Sequence, residues 1–166
     1  MTQCRRATQE VFFEIRQSPR FKDNEYINES IDKMSKRIIF ICEANSTRSQ
    51  LAEGLSKKYL PSYVSESAGS VSYGSINPLV GKVLFEEGVD CSIQYSKEYT
   101  QIHNPENVNL VVILCARDFI GNYFSNAQKI HQPMNIPGVG FAHDGAHILD
   151  AYRQLAEKIK ILLTKL

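Results

Sequence analysis

The sequence predicts an α/β fold in which a central four-stranded parallel sheet carries helices on both faces. Short apolar stretches rich in β-branched residues alternate along the chain with segments whose apolar residues recur at helical spacing. Two of those stretches, 38–42 and 110–115, are continuously apolar, as strands buried on both faces are. The 166 residues, 43% of them hydrophobic and 22% charged, suffice for one compact domain.

An N-terminal extension, residues 1–36, precedes the first predicted strand. Val11, Phe12 and Ile15 predict one face of a short helix that ends before Pro19. The pattern favours a helical appendage packed on the domain, and an arm that binds a partner remains the alternative. The second unit, residues 37–166, holds all the predicted strands.

The predicted elements follow one another with recognisable boundaries. After the strand at 38–42, Leu51, Ala52 and Leu55 predict a helix over 50–59, which Pro61 ends. A short strand at 63–67 follows. The remaining elements are a helix capped by Asn77 with Pro78 in its first turn and Gly88 past its end, strands at 110–115 and 129–131, and a closing helix with apolar residues at Ile148, Tyr152, Leu155, Ile159 and Leu163.

The first strand ends in a cysteine, Cys42, and Arg48 follows six positions later. A loop that feeds the start of a helix turns backbone N–H groups inward and adds the positive end of the helix dipole. Both features favour a thiolate and hold the oxygens of an oxyanion, and Arg48 can bind two of those oxygens. Ser49 is expected to donate a hydrogen bond to the sulfur. The predicted oxyanion-binding residues are Glu43, Ala44, Asn45, Ser46, Thr47 and Arg48, with Asn45 also holding the loop in shape.

The stretch CEANSTRSQLAE, residues 42–53, resembles the phosphate-binding loop of low-molecular-weight tyrosine phosphatases and thioredoxin-coupled arsenate reductases. Blocks further along the chain strengthen the resemblance: Ser67-Ala68-Gly69, Asn77-Pro78-Leu79, Glu87-Gly88-Val89-Asp90, Ser96-Lys97 and Leu114-Cys115. Gln50 favours the reductase branch, because the phosphatase branch usually has proline there. The resemblance implies the low-molecular-weight phosphatase fold.

The resemblance implies an arsenate reductase-like enzyme in which Cys42 attacks arsenate and Cys115 resolves the adduct by forming a disulfide. A third cysteine of the relay would fall near Asn122, which is not a cysteine. A two-thiol or external-thiol route is therefore expected, with thioredoxin, glutaredoxin or a low-molecular-weight thiol as reductant. The alternative for Cys115 is that of an ordinary core cysteine at the end of a buried strand.

A phosphatase that acts on phosphotyrosine or another phosphomonoester, through a phosphocysteine on Cys42, is the second hypothesis. Such enzymes of this family use the aspartate of an Asp-Pro pair as general acid, and the matching stretch here reads Asn135-Ile136-Pro137. Asp144 is the nearest acidic residue beyond it and the candidate acid, although its position just before an amphipathic run favours the N-cap of the closing helix. A non-catalytic oxyanion-binding or regulatory module is the third hypothesis.

Charge and composition limit the kinds of partner, location and cofactor that the sequence predicts. A net charge of +1 gives no reason to expect nucleic acid or an anionic membrane as partner, so a small oxyanion is the expected ligand. No apolar stretch approaches the roughly 20 residues of a membrane span, and the N-terminus lacks a secretory pattern, which predicts a cytoplasmic location. The four cysteines, at 4, 42, 91 and 115, do not have zinc-site spacing, so no bound metal or cofactor is predicted.

Overall fold

A computed structural model describes residues 36–135 and 145–166. The strands are β1 (Lys36–Cys42), β2 (Tyr63–Gly69), β3 (Leu110–Ile113) and β4 (Gln128–His131). The helices are α1 (Arg48–Tyr59), α2 (Pro78–Glu86) and α3 (Gly145–Leu163), with 3-10 turns at Tyr99–Gln101 and Pro105–Asn107. Residues 1–35, which contain the predicted helix of the N-terminal extension, lie outside the described residues, as does Asp144, so both stay predictions.

The strands form one parallel sheet in the order β2-β1-β3-β4. Cys42 pairs with Gly69 of β2, and Ile41 pairs with Ile113 of β3. The predicted four-stranded parallel sheet is confirmed. Because all strands run the same way, their carboxyl ends meet at one edge, where ligands bind in open α/β sheets.

The side chains of the sheet alternate between two apolar clusters, one on each face. Ile38, Phe40 and Cys42 face the cluster that α1, α2 and α3 complete. The neighbouring Ile39 and Ile41 face a second cluster, which the segment 99–124 closes with its 3-10 turns. Helical elements therefore cover both faces, and the longer helices lie on the Cys42 side.

Element boundaries differ from the predictions by a few residues. β3 ends at Ile113, so Leu114 and Cys115 lie in the loop that follows, although the Leu114 N–H still donates to the Ile41 carbonyl at 2.7 Å. α1 begins at Arg48 rather than at Gln50, because buried polar side chains of the loop continue into its first turn. Apolar periodicity cannot detect such a turn.

The predicted cap of α2 is confirmed. The side chain of Asn77 accepts a hydrogen bond from the Leu79 N–H at 2.9 Å, and Pro78 takes the first helical position. Gly88, one residue past the Glu87 C-cap, adopts a positive φ of 70°. Among the described residues, no helix combines the length and apolar character needed to cross a bilayer.

Candidate active site

The loop between β1 and α1 runs from Cys42, the last residue of β1, to Arg48, the first residue of α1. Its carbonyl groups point outward. Those of Glu43, Ala44 and Ser46 accept hydrogen bonds from the backbone N–H groups of residues 71, 73 and 77 at 3.1, 3.2 and 2.9 Å. Since C=O and the following N–H of a trans peptide point in opposite directions, the N–H groups after these carbonyls face the interior of the loop. The loop is thus a cradle of amides.

The N-terminus of α1 adds to this cradle. Its N-cap residue, Thr47, makes no side-chain capping bond, so the first N–H groups of a twelve-residue helix are left for another acceptor. Anions bind where such groups and the positive end of the helix dipole coincide. The loop and the helix start therefore form one anion site.

Asn45 lies at the centre of the loop, fully buried and with a positive φ of 45°. Its side-chain oxygen accepts from the Lys97 N–H at 2.8 Å, and its Nδ2 donates to the hydroxyls of Ser49 at 2.8 Å and Ser67 at 2.9 Å. The backbone donor of Lys97 fixes which end of the amide is the oxygen. The orientation of Asn45 is therefore determined by the fold.

The orientation of Asn45 makes the Ser49 hydroxyl an acceptor on one side. The Ser49 oxygen accepts from Asn45, and it lies 2.9 Å from the sulfur of Cys42. A hydroxyl that accepts on one side has its own hydrogen left to donate on the other. The Ser49 hydroxyl can therefore donate to the Cys42 sulfur, and a bond in that direction stabilises the thiolate more than the thiol.

Arg48 is buried beside the cradle, with 7% of its surface exposed. One terminal nitrogen, Nη1, donates to the carbonyls of Leu114 at 3.1 Å and Met134 at 3.2 Å. The buried Nε has no hydrogen-bond partner among residues 36–135 and 145–166. A buried donor without a partner is costly, so an anion that accepts from Nε would remove the penalty. Two carbonyls hold the guanidinium, and one of its N–H groups remains for a ligand.

Gly69 lets the loop lie close to β2. A Cβ at this residue would be 2.6 Å from the carbonyl oxygen of Glu43 and 2.8 Å from the backbone nitrogen of Asn45. These are backbone atoms, which cannot move aside as a flexible side chain can. Glycine is therefore required where the loop packs on the strand.

A buried carboxyl, Glu53, lies behind the cradle. It accepts from the Ser67 hydroxyl at 2.7 Å, and that serine itself accepts from Asn45. Burial raises the pKa of Glu53, while the hydrogen bond from Ser67 and the charge of the buried Lys97 lower it in part. The ammonium of Lys97 lies 4.3 Å from the ring centroid of Tyr95. The cradle thus rests on a polar layer that the sheet and α1 enclose.

Cys115 lies at the same sheet edge but belongs to the apolar cluster on the opposite face from Cys42. It is buried, and its Sγ donates to the Arg117 carbonyl at 3.3 Å. Burial raises the pKa of its thiol, Arg48 lowers it, and the neighbouring Cys42 raises it further. Arg48 and Cys42 therefore lie close enough to Cys115 to change the pKa of its thiol. Cys42, Cys91 and Cys115 are all free thiols.

The structure brings together the predicted residues of the loop, with Cys42, Asn45, Arg48 and Ser49 buried and Glu43 exposed. The predicted acid Asp144 lies outside the described residues. Several contributors were missed by sequence reasoning: Ser67, Gly69, Gln94, Lys97 and the carbonyls of Leu114 and Met134. Ser67-Ala68-Gly69 and Ser96-Lys97 belong to the sequence motifs that support the family resemblance. Only the structure shows that Ser67, Gly69 and Lys97 contact the nucleophile loop.

Several proteins similar in sequence to this chain are arsenate reductases. An arsenate reductase of Halalkalibacterium halodurans is 39% identical over 108 residues, which cover 63% of this chain and 76% of that protein. One from Staphylococcus aureus strain Newman is 35% identical over 130 residues, 77% of this chain and 93% of that protein. One from Shouchella clausii is 44% identical over 84 residues, 49% of this chain and 59% of that protein.

Solved structures show the same fold at lower identity. An arsenate reductase in the phosphate binding state superposes with a TM-score of 0.62 at 22% identity, covering 78% of this chain and 95% of that one. The low molecular weight protein tyrosine phosphatase of T. tengcongensis gives 0.61 at 23% identity, covering 79% and 97%. Residues 37–136 match the sequence profile of low molecular weight phosphotyrosine protein phosphatases. The chain belongs to the low molecular weight phosphotyrosine protein phosphatase family.

Proposed function

We propose that this protein is a thiol-dependent arsenate reductase in which Cys42 is the nucleophile. The observation that carries the proposal is the contact of 2.9 Å between the Ser49 hydroxyl oxygen and the Cys42 sulfur, within a cradle of inward amides. The same cradle and the partnerless Nε of Arg48 suit a tetrahedral oxyanion. The relatives with 35 to 39% identity over most of their length are arsenate reductases.

In the first step, the Cys42 thiolate attacks the arsenic of bound arsenate. A sulfur–arsenic bond forms, and one arsenate oxygen leaves as water after taking up protons. The loop amides and Arg48 hold the remaining oxygens in place while the charge on them changes. Arsenate depends little on a separate general acid, because the leaving oxygen already carries a proton at neutral pH.

In the second step, Cys115 is the resolving thiol. Its thiolate attacks the Cys42 sulfur, the sulfur–arsenic bond breaks, and its electron pair stays on arsenic, which is released as arsenite. The two sulfurs are oxidised to a disulfide, and an external dithiol such as thioredoxin or glutaredoxin reduces it. The effect of Cys42 and Arg48 on the Cys115 thiol supports this pairing.

The step requires Cys115 to leave its resting position. Its side chain faces the apolar cluster opposite to that of Cys42 and donates to the Arg117 carbonyl. Disulfide formation needs the two Cα atoms within about 7 Å, with the Cβ atoms turned toward each other. The side chain of Cys115 must therefore turn toward Cys42. Cys115 lies beyond the last residue of β3, and its carbonyl oxygen is 2.7 Å from the Nε2 of His131.

Arsenite release in the presence of thioredoxin, its reductase and NADPH tests the proposal. The wild-type chain and a Cys91→Ser variant are expected to turn over at similar rates, because the Cys91 sulfur lies beside Gly81 of α2 and is not part of the loop. Cys42→Ser is expected to abolish release. Cys115→Ser is expected to stop release with thioredoxin as reductant. No arsenite from the wild-type chain with thioredoxin, glutaredoxin or glutathione would exclude the reductase.

A phosphomonoester phosphatase is the second candidate, and the sequence profile that matches residues 37–136 favours it. The same nucleophile would form a phosphocysteine that water then hydrolyses. Turnover of p-nitrophenyl phosphate that Cys42→Ser abolishes and Cys115→Ser leaves intact would establish it. In that case, a kcat for p-nitrophenyl phosphate about 100-fold lower in Asp144→Asn than in the wild type would identify Asp144 as the general acid. Phosphate binding without either reaction would leave a non-catalytic anion-binding protein.

A further inference from the structure

We propose that Gln50, held in place by Gln94, is a positioning residue that sets the geometry of the nucleophile loop. Gln50 is fully buried in the first turn of α1, and its side-chain amide makes hydrogen bonds with Asn45, Tyr95 and Gln94. The inference rests on the proposed role of Cys42 as nucleophile. It adds that the reactivity of this thiol depends on an amide that does not touch it.

The side-chain nitrogen of Gln50 donates to both oxygens of Asn45. Its Nε2 lies 3.2 Å from the Asn45 carbonyl and 3.0 Å from the Asn45 Oδ1. It also lies 2.8 Å from the carbonyl of Tyr95. A backbone carbonyl can only accept, so these contacts fix the nitrogen of the amide on this side. Gln50 thus binds the one loop residue with a left-handed backbone.

The left-handed backbone of Asn45 is what needs the support. A non-glycine residue at a φ of 45° is disfavoured by contact between its Cβ and the backbone. Gln50 holds the carbonyl of Asn45 outward and, through Oδ1, keeps Nδ2 turned toward Ser49. Without this amide, Asn45 can relax, and the hydroxyl of Ser49 loses the donor that orients it.

Gln94 holds Gln50 from the other side. Its Nε2 donates to the Gln50 side-chain oxygen at 2.9 Å and to the Gln50 carbonyl at 2.9 Å. The next residues complete the arrangement, since the Tyr95 carbonyl accepts from Gln50 and the Lys97 N–H donates to Asn45. Segment 94–97 and α1 are therefore joined at the loop by two buried amides that leave no oxygen of Gln50 without a donor.

The pH dependence of Cys42 alkylation by iodoacetamide, followed by peptide mass spectrometry, tests the inference without any substrate. In Gln50→Met, which keeps the length of the side chain and removes its donor, the midpoint of the Cys42 profile is expected to rise by about one pH unit. The rate below the midpoint should then fall about tenfold. Gln94→Met is expected to move the midpoint in the same direction by a smaller amount.

Ser56→Ala is the matched control. It removes another buried hydrogen bond of α1, from the Ser56 hydroxyl to the Glu53 carbonyl at 2.8 Å, six residues beyond Gln50 along the helix. We expect it to lower the thermal midpoint without moving the alkylation profile. A Gln50→Met chain that is destabilised but has the wild-type alkylation profile would show that Gln50 is merely structural and would overturn the inference.

If Gln50→Met does not fold, Gln94→Met decides the question, and an unchanged profile in that variant overturns the inference. The outcome is separable from that of the proposed reaction. A shifted profile in a protein that releases no arsenite would keep the inference and exclude the reductase. An unshifted profile in a protein that does release arsenite would overturn the inference about Gln50 and keep the proposed reductase activity.

Discussion

Cys42 and Cys115 lie at the carboxyl ends of neighbouring strands, and both are buried, yet their surroundings are opposite. The Cys42 sulfur lies 2.9 Å from the Ser49 hydroxyl oxygen, in a loop of inward amides before a helix whose N-cap residue makes no side-chain capping bond. Cys115 donates its own hydrogen to the Arg117 carbonyl and packs in an apolar cluster. Burial raises the pKa of the Cys115 thiol, whereas groups that can donate hydrogen bonds surround the Cys42 sulfur.

The difference shows that burial alone does not determine the state of a cysteine. A buried sulfur that receives hydrogen bonds is stabilised as an anion, whereas one that only loses water is stabilised as a thiol. Strand alternation separates the two environments, because Cys42 and Cys115 belong to clusters on opposite faces of the sheet. The nucleophile and its proposed resolver can thus coexist as reduced thiols until an adduct forms.

The largest expected effect is a difference in alkylation rate between the two thiols. At pH 7 we expect iodoacetamide to modify Cys42 at least about 100-fold faster than Cys115 in the native protein, because burial raises the pKa of the Cys115 thiol above its ordinary value. Peptide mass spectrometry at a series of times measures both rates. Equal rates would show that the two environments do not differ as the hydrogen bonds indicate.

The next largest effect is expected from Gly69→Ala. A Cβ there would collide with the backbone of Glu43 and Asn45, so we expect a loss of about 1–3 kcal/mol in the free energy of unfolding and slower alkylation of Cys42. Gly81→Ala is the control, since its Cβ would meet only the Cys91 sulfur at 3.9 Å. That substitution, inside α2, is expected to stabilise the protein. Similar results for the two alanines would contradict the close approach of loop and strand.

Ser49→Ala should change one thiol and leave the other as it was. Removing the hydroxyl that donates to Cys42 is expected to raise the midpoint of its alkylation profile by about one pH unit. Cys115 has no contact with this hydroxyl, so its slow rate should not change. A Ser49→Ala protein whose Cys42 reacts like the wild type would remove the hydrogen bond as a cause of the reactivity.

The smallest effect concerns Glu53, the buried carboxyl behind the loop. Burial raises its pKa, so the folded state holds this proton more tightly than the unfolded state does, and stability falls as pH rises from about 4.5 through the raised pKa. Glu53→Gln carries no charge and keeps an oxygen for Ser67. The thermal midpoint of the variant minus that of the wild type should therefore be more positive near pH 7.5 than near pH 4. A difference that does not change with pH would contradict the raised pKa.

The sheet and the position of Cys42 could be predicted because continuous apolar strands and a Cys-x5-Arg loop are local features. The same holds for the cap at Asn77, whose side chain acts two residues away. The hydrogen bonds that hold the loop in shape could not be predicted. The partners of Asn45 come from residues 49, 50, 67 and 97, and no periodic pattern in the sequence links these positions. The opposite faces of Cys42 and Cys115 follow from the strand register, which a sequence does not state.

A single turnover with arsenate in the absence of external thiol examines both cysteines together. The chain is mixed with a small excess of arsenate and quenched by alkylation, and its peptides are mapped without reduction while arsenite is measured. We expect a Cys42–Cys115 disulfide and about one arsenite per disulfide, as two electrons per arsenic require. Arsenite released while both thiols remain alkylatable, or no arsenite and no disulfide, would contradict the proposed roles of these two residues.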